Sequence, residues 1–192
     1  MAVKKARRGR PNQDKQKLSA EVITVCAQKY IFEEKKTLSI RGLARSLNVD
    51  PMAIYHYFDN KTALLEAVTV LMMKRISSSQ KYPCWQDELM ALSKRYVALH
   101  IDYPGLLETL LAMGNAAHAP AQVFKASFDS AVAALALGEK ESQAFLHLLV
   151  DYLHGFVLAM HCAPNPNPLG PDDMDAPLRL IFRALEQDKK RW

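Results

Sequence analysis

His147, Asp151 and His154 stand at i, i+4 and i+7, and His161 repeats the interval of seven, in "ESQAFLHLLVDYLHGFVLAMH". On a helix the first three share a face, and two imidazoles with a carboxylate are ligands that a transition-metal ion accepts. No fourth ligand is evident. A seven-residue recurrence also describes a seam between helices, so the preferred reading is a face packed in a dimer bundle, its histidines at the edge or lining a pocket. The metal reading is the one route to an enzyme here. No nucleophile elbow, phosphate-cradling glycine loop or convincing carboxylate pair accompanies it. Cys26, Cys84 and Cys162 are odd in number, far apart and without metal-ligand spacing, which predicts reduced, mostly buried thiols. Neither a metal nor a cofactor is expected.

A different chemistry is offered by "VDPMAIYHYFDNK", residues 49–61. Asp50 suits a helix N-cap, and Pro51 the first helical position, where a missing N–H has no intrahelical partner to lose. Ile54 and Phe58 are four apart and share a face with Leu43 and Leu47, which assigns them to a small core. Met52, Ala53 and His56 lie opposite, Pro51 and Tyr55 flank them, and Tyr57 and Lys61 follow at the helix end. Such an outward set fits a DNA major groove. Tyrosine hydroxyls and Lys61 suit phosphate oxygens, the proline ring, Met52 and Ala53 suit thymine methyls, and His56 can hydrogen-bond a base edge. Ser39 and Arg41 open the preceding helix, where it would cross the phosphate backbone. The alternative is an ordinary three-helix core with a solvated aromatic end.

The elements that must position these groups read as all-α, since apolar residues recur at helical period and no alternating run is bounded by turn residues. A first helix is expected from about Lys15 to Glu34, with Leu18, Val22, Val25, Cys26, Tyr30 and Ile31 or Phe32 buried. A short helix capped by Ser39 follows, with Ile40, Leu43, Ala44 and Leu47 inward and Asn48 in the left-handed turn that ends it. Helix, short turn, helix is the helix-turn-helix plan. Asn60 caps a long helix expected over 61–80, carrying Leu64, Leu65, Val68, Leu71 and Met72. The chain divides into a flexible basic arm (1–14), a helix-turn-helix domain with the start of the connecting helix (15–80) and a larger helical domain (81–192). The last should hold helices near 86–101, 104–113, 120–136 and 139–161, a proline-rich loop over 162–177 and a final amphipathic helix.

Net charge is +5 over 192 residues, but unevenly placed. Residues 1–17 hold seven Lys or Arg against one acid, 18–80 eight against six, and 81–192 ten against thirteen. Positive charge at one end fits a polyanion there, because cations that neutralise phosphates release condensed counterions. "ARRGRP" places Arg7, Arg8 and Arg10 around glycine and proline, similar to an AT-hook core that enters a narrow A·T minor groove. A disordered basic tail that adds affinity without reading sequence is the other possibility. No apolar run approaches the roughly 18 residues of a membrane span and no apolar stretch follows the basic start, so a cytoplasmic protein with no membrane partner is expected.

The stretch "LSIRGLARSLNVDPMAIYHYFDNKTALLEAV" resembles the DNA-binding module of the tetracycline-repressor (TetR) family of transcriptional regulators. Ser39, Leu43, Ala44, Val49, Ile54, Tyr55, Tyr57, Phe58, Lys61 and Leu64 match its pattern, while Asn48 stands where glycine is usual. "WQDELMALSKRY", "HGFVLAMH" and "LIFRALE" resemble stretches of the core domain of the tetracycline repressor. The resemblance implies a homodimer joined through its last two long helices, about 139–161 and 176–188. It implies a palindromic double-stranded operator and a small-molecule effector that releases it. The tetracycline repressor holds a magnesium–drug chelate with a histidine and a glutamate; Thr109 and Ala159 fall near those places, which argues against tetracycline. Leu106, Leu110, Met113, Phe124, Phe128 and Phe156 are candidate lining residues for an apolar or aromatic effector, and fit a plain core as well. An architectural DNA-binding protein without effector control is a further alternative.

Overall fold

The structure, a computed structural model, describes residues 18–80, 82–161 and 169–189. The basic arm with Arg7, Arg8 and Arg10, the expected helix start at Lys15, and Cys162 lie outside the described residues. Among those described there are helices and turns and no strand, as the periodicity predicts.

Helix α1 (Ala20–Gln28) starts where Ser19, in extended conformation, accepts the Val22 N–H on its hydroxyl at 3.2 Å. Ser19 thus caps a helix whose first residue is Ala20, its oxygen satisfying a first-turn N–H. The buried face also differs from expectation. Ile23 and Ala27 are fully enclosed, whereas Val25 is exposed and Val22, Cys26 and Tyr30 are half-buried. Residues 22–27 are apolar on nearly every side, so two stripes of equal spacing compete and packing decides between them. A π turn over Lys29–Glu33 then ends the helix.

Helices α2 (Ile40–Leu47) and α3 (Pro51–Tyr55) follow the cap chemistry. Ser39 Oγ accepts the Gly42 N–H at 3.4 Å, and Asn48 takes φ 52°, a left-handed value asparagine tolerates. At Gly42 a Cβ would overlap the Tyr30 hydroxyl, so any side chain there needs Tyr30 to shift. Asn60 Oδ1 accepts the Ala63 N–H at 2.9 Å and opens α4 (Lys61–Met73). This helix is shorter than expected: it tightens into a 3₁₀ turn over Lys74–Ile76, and residues 77–80 are not helical. Serine at 77–79 competes for backbone hydrogen bonds and favours that early stop.

Beyond Cys84 come α5 (Trp85–Asp102), α6 (Leu106–Ala112), α7 (His118–Val132), α8 (Glu139–His161) and α9 (Asp175–Lys189). Short 3₁₀ turns extend α6 and α7. Part of the expected proline loop is helical instead, since Pro171 begins a 3₁₀ turn through Met174 and Pro177 lies in the first turn of α9. Proline fits both places because first-turn N–H groups have no partner to lose. Helix α7 packs on α4 and α5, and α8 on α5. Trp85, Phe128, Phe145 and Phe182 meet edge to face between these helices, at centroid spacings of 5.4–6.5 Å.

Tyr103 adds a polar tie between the front helices and the rest to the packing of α1 on α4. The Tyr103 hydroxyl accepts hydrogen bonds from Arg75, just past α4, and from Gln28 of α1 at 3.3 Å. Its ring meets Phe32 edge-on at 5.8 Å, and the Arg75 guanidinium lies 5.0 Å from its centroid. Two expectations need correction. Cys84 is exposed rather than buried and Cys26 is half-buried, because Cys84 occupies the solvent-facing N-cap position of α5. Helix α8 is long and apolar enough to cross a membrane by length and composition, with mean hydropathy 1.3 over 18 residues, although no unbroken apolar run was evident. Histidines and one acid interrupt its apolar residues without lowering the average much. Phe145, Leu149, Leu153, Phe156 and Val157 face this chain's core, and Leu148 and Leu158 face outward.

Candidate nucleic-acid interface and ligand cavity

The turn from α2 into α3 is built from backbone bonds that side chains complete. Val49 N–H donates to the Ala44 carbonyl at 3.0 Å across the left-handed Asn48, and Asp50 Oδ1 accepts the Met52 N–H at 2.7 Å. Only five residues are α-helical thereafter. His56 N–H still reaches the Met52 carbonyl at 3.2 Å, and Phe58 N–H the Ile54 carbonyl at 3.1 Å, so the helical path runs on through one more turn. Ile54 is fully buried and Phe58 half-buried against the core. Their placement leaves the other face free.

On that face Met52 is 62% exposed, Tyr55 42% and Tyr57 45%, with His56 and Lys61 exposed as well. Pro51 and Ala53 are half-buried at its border. So large an apolar and aromatic surface on a five-residue helix is costly in water unless it meets a partner. Ser39 spends its oxygen on the α2 cap, and Arg41 extends from the first turn of α2 into solvent. One residue differs in detail: the Tyr57 hydroxyl donates to the Leu18 carbonyl at 2.8 Å. Its proton is thus engaged within the chain, which ties the start of the head to the end of the α3 turn. Sequence spacing gave no signal of that 39-residue closure.

A cavity of about 910 Å³ opens between α7 and α8 and reaches inward to α4, α5 and α6. Of the six expected lining residues, Leu110 and Phe124 reach it. Leu106 and Phe128 are fully buried in the core and Phe156 nearly so. Met113 packs toward α4, with its sulfur 3.8 Å from the Thr69 hydroxyl. The structure adds Met73, the last residue of α4, together with Tyr96 and His154. Met73 looked like any other apolar residue of a helix stripe, so nothing in its spacing marked it.

The histidine face also lands here: His147, Asp151 and His154 all line the cavity. Among the described residues no three His, Cys, Asp or Glu side chains converge as metal ligands. His154 is half-buried, and burial pushes its imidazole below the usual range while the Asp151 carboxylate opposes that shift. Behind it Tyr96 and His100 are buried, their rings 4.3 Å apart. Burial raises the Tyr96 phenol and depresses His100 to about 4, despite the bond from His100 Nδ1 to the Tyr96 carbonyl. Both imidazoles are therefore neutral near pH 7.

Residues 36–68, from the end of α1's segment through α2 and α3 into α4, match the sequence model of the bacterial regulatory proteins of the tetR family. That match spans the helix-turn-helix segment of the chain. Solved structures with tetR-like architecture cover nearly all of it. BioQ bound to its natural double-stranded DNA operator has a TM-score of 0.70 at 19% identity, covering 88% of this chain and 98% of its own. The Streptomyces coelicolor TetR family protein ActR in complex with actinorhodin has a TM-score of 0.70 at 15% identity, covering 89% and 98%. A TetR variant from Acinetobacter baumannii AYE in complex with minocycline has a TM-score of 0.65 at 22% identity, covering 91% and 98%. No curated protein matches the sequence. The matched segment and the shared all-α fold agree with the resemblance read from residues 39–64.

Proposed function

We propose that the protein is a cytoplasmic, ligand-responsive repressor that binds a palindromic operator as a homodimer and is released by a small-molecule effector in the α7–α8 cavity. The observation that carries this reading is Met73. One helix of 13 residues, about 20 Å long, has Lys61 beside the exposed α3 face at one end and Met73 in the cavity wall at the other. A molecule that displaces Met73 pushes on the element that positions α3.

Met52, Tyr55, His56 and Lys61 are the proposed contacts to DNA, with Pro51 and Ala53 at the border. Tyr57, whose hydroxyl proton is donated to the Leu18 carbonyl, reaches phosphate only through a bridging water that donates to both oxygens. Ser39 and Arg41 at the start of α2 approach the backbone, and Arg7, Arg8 and Arg10 of the arm add phosphate attraction. The neighbours' operator, actinorhodin and minocycline complexes support a two-site design of this kind. Dimerisation is supported by Leu148 and Leu158 of α8 and Leu180 of α9, which are 54%, 40% and 61% exposed. The space beside Gly155, where a Cβ would meet nothing within 4 Å, allows a partner helix to approach closely. An unpartnered apolar α8 face is expected to be covered by a second copy rather than by lipid.

Two heads related by a twofold axis read successive major grooves only when about 34 Å apart. An effector lowers operator affinity only by binding the DNA-incompetent spacing more tightly, and operator opposes effector by the same factor. Selecting bound sites from a random-duplex pool tests the DNA half of the proposal. A palindrome with two half-sites one turn apart is expected, and a pool that stays random would contradict it.

A further inference from the structure

Among the ionisable groups lining the cavity, Tyr96 and His154 are withdrawn from solvent, while His118, Lys125, Glu139, His147 and Asp151 are exposed at its rim. The histidines of this region are not equivalent. His100 and His161 each place Nδ1 2.8 Å from the carbonyl four residues earlier, those of Tyr96 and Val157. His154 makes no such bond and has no hydrogen-bond partner among the described residues. Its ring lies 6.0 Å from that of Tyr96 at an interplanar angle of 29°, and Phe124 meets Tyr96 edge-on at 5.2 Å. The inner wall is therefore an aromatic cluster in which His154 stacks on Tyr96 and Phe124 stands edge-on to it, and the His154 imidazole, without a protein hydrogen-bond partner, is left to water.

A neutral imidazole has one N–H donor and one acceptor nitrogen. A wholly apolar molecule filling the cavity would strip water from both without replacing it, which costs roughly ten- to a hundredfold in affinity. A carboxylate-headed chain fares no better at that depth. It would face an uncharged ring, and the rim cation Lys125 is already paired with Asp129 at 2.6 Å. A phenol hydroxyl donates and accepts, so it satisfies either tautomer, and its ring continues the aromatic stack. Leu110, Leu146 and Val150 supply apolar contact for the remainder of such a molecule. The volume lies within the range of sites for molecules of several rings.

We propose that the cavity takes a planar phenol of two or more rings, its hydroxyl hydrogen-bonded to the His154 imidazole and its rings laid beside Tyr96 and Phe124. This rests on reading the cavity as the effector site.

The test is calorimetric titration of the full chain with 2-naphthol, 2-methoxynaphthalene and decanoate. Wild type is expected to bind 2-naphthol at least about tenfold more tightly than the methyl ether or decanoate. His154→Phe should reduce that preference to under about threefold, and His154→Gln, which keeps a donor and an acceptor, should restore part of it. Equal affinity for naphthol and ether in wild type, a preference that survives His154→Phe, or tighter binding of decanoate would overturn the proposal. The effector reading is scored separately on the selected operator. Naphthol bound through His154 without weakening operator binding supports the ligand assignment and refutes the effector role, and failure of all three probes to bind overturns the ligand assignment.

Discussion

His56 and Ile54 are two residues apart and face opposite ways, which makes them the sharpest pair at the scale of single side chains. His56→Ala is expected to change the preferred operator bases in a site-selection experiment while the thermal unfolding midpoint stays within about 2 °C of wild type. Ile54→Ala removes a fully buried side chain, and should cost about 2–5 kcal/mol in chemical denaturation. The reverse pattern would mean that α3 faces the wrong way. Phe58, only half-buried, should cost less than Ile54. His100 gives a pH signature. Its folded value is depressed to about 4 from an ordinary 6.5, so between those values the unfolded chain binds the extra proton. Stability from this group is complete above about pH 6.5 and is lost as pH falls toward 4. Denaturation curves across that window should be steeper in pH for wild type than for His100→Phe, and identical slopes would contradict the buried neutral imidazole. At this scale the cap residues were legible, because Ser39, Asp50 and Asn60 announce helix starts through short oxygen-bearing side chains. The engaged hydroxyl of Tyr57 was not, since its partner is a backbone carbonyl 39 positions away.

At the scale of elements the decisive contact is the Tyr103 junction, where α1, the end of α4 and the turn before α6 meet. Tyr103→Phe deletes the hydroxyl that Arg75 and Gln28 share but keeps the packing on Phe32. Global stability should fall by only about 0.5–1.5 kcal/mol. The head would be held less firmly against the core, so operator affinity without effector should drop several-fold, measured by fluorescence anisotropy on the selected duplex. An unchanged affinity would show that Tyr103 does not set the position of the head. Most helices were legible from apolar period, and α8 agrees at both ends with its expected 139–161 span. Two features were not legible for physical reasons. The buried side of α1 is ambiguous in a segment apolar all round, and the cavity is assembled from five helices, so no local spacing records that Met73 and His154 share a wall.

For the whole molecule, the distribution of charge and the length of α4 define the proposed design: a basic front end suited to a polyanion and a cavity one helix away. Deleting residues 1–12 removes five Lys or Arg, and should weaken operator binding and reduce the slope of log affinity against log salt by up to about 4–5 per arm that contacts phosphate. An unchanged slope would remove the arm from the interface. The central claim, that the cavity and the α3 face are coupled through α4, is tested most directly by one titration. The intact protein is titrated onto its selected palindrome by fluorescence anisotropy, with and without saturating cavity ligand, for wild type and Met73→Ala. The account predicts operator affinity at least about fivefold weaker with ligand in wild type, with a smaller loss in Met73→Ala. Operator affinity that is the same with the cavity filled or empty would contradict it.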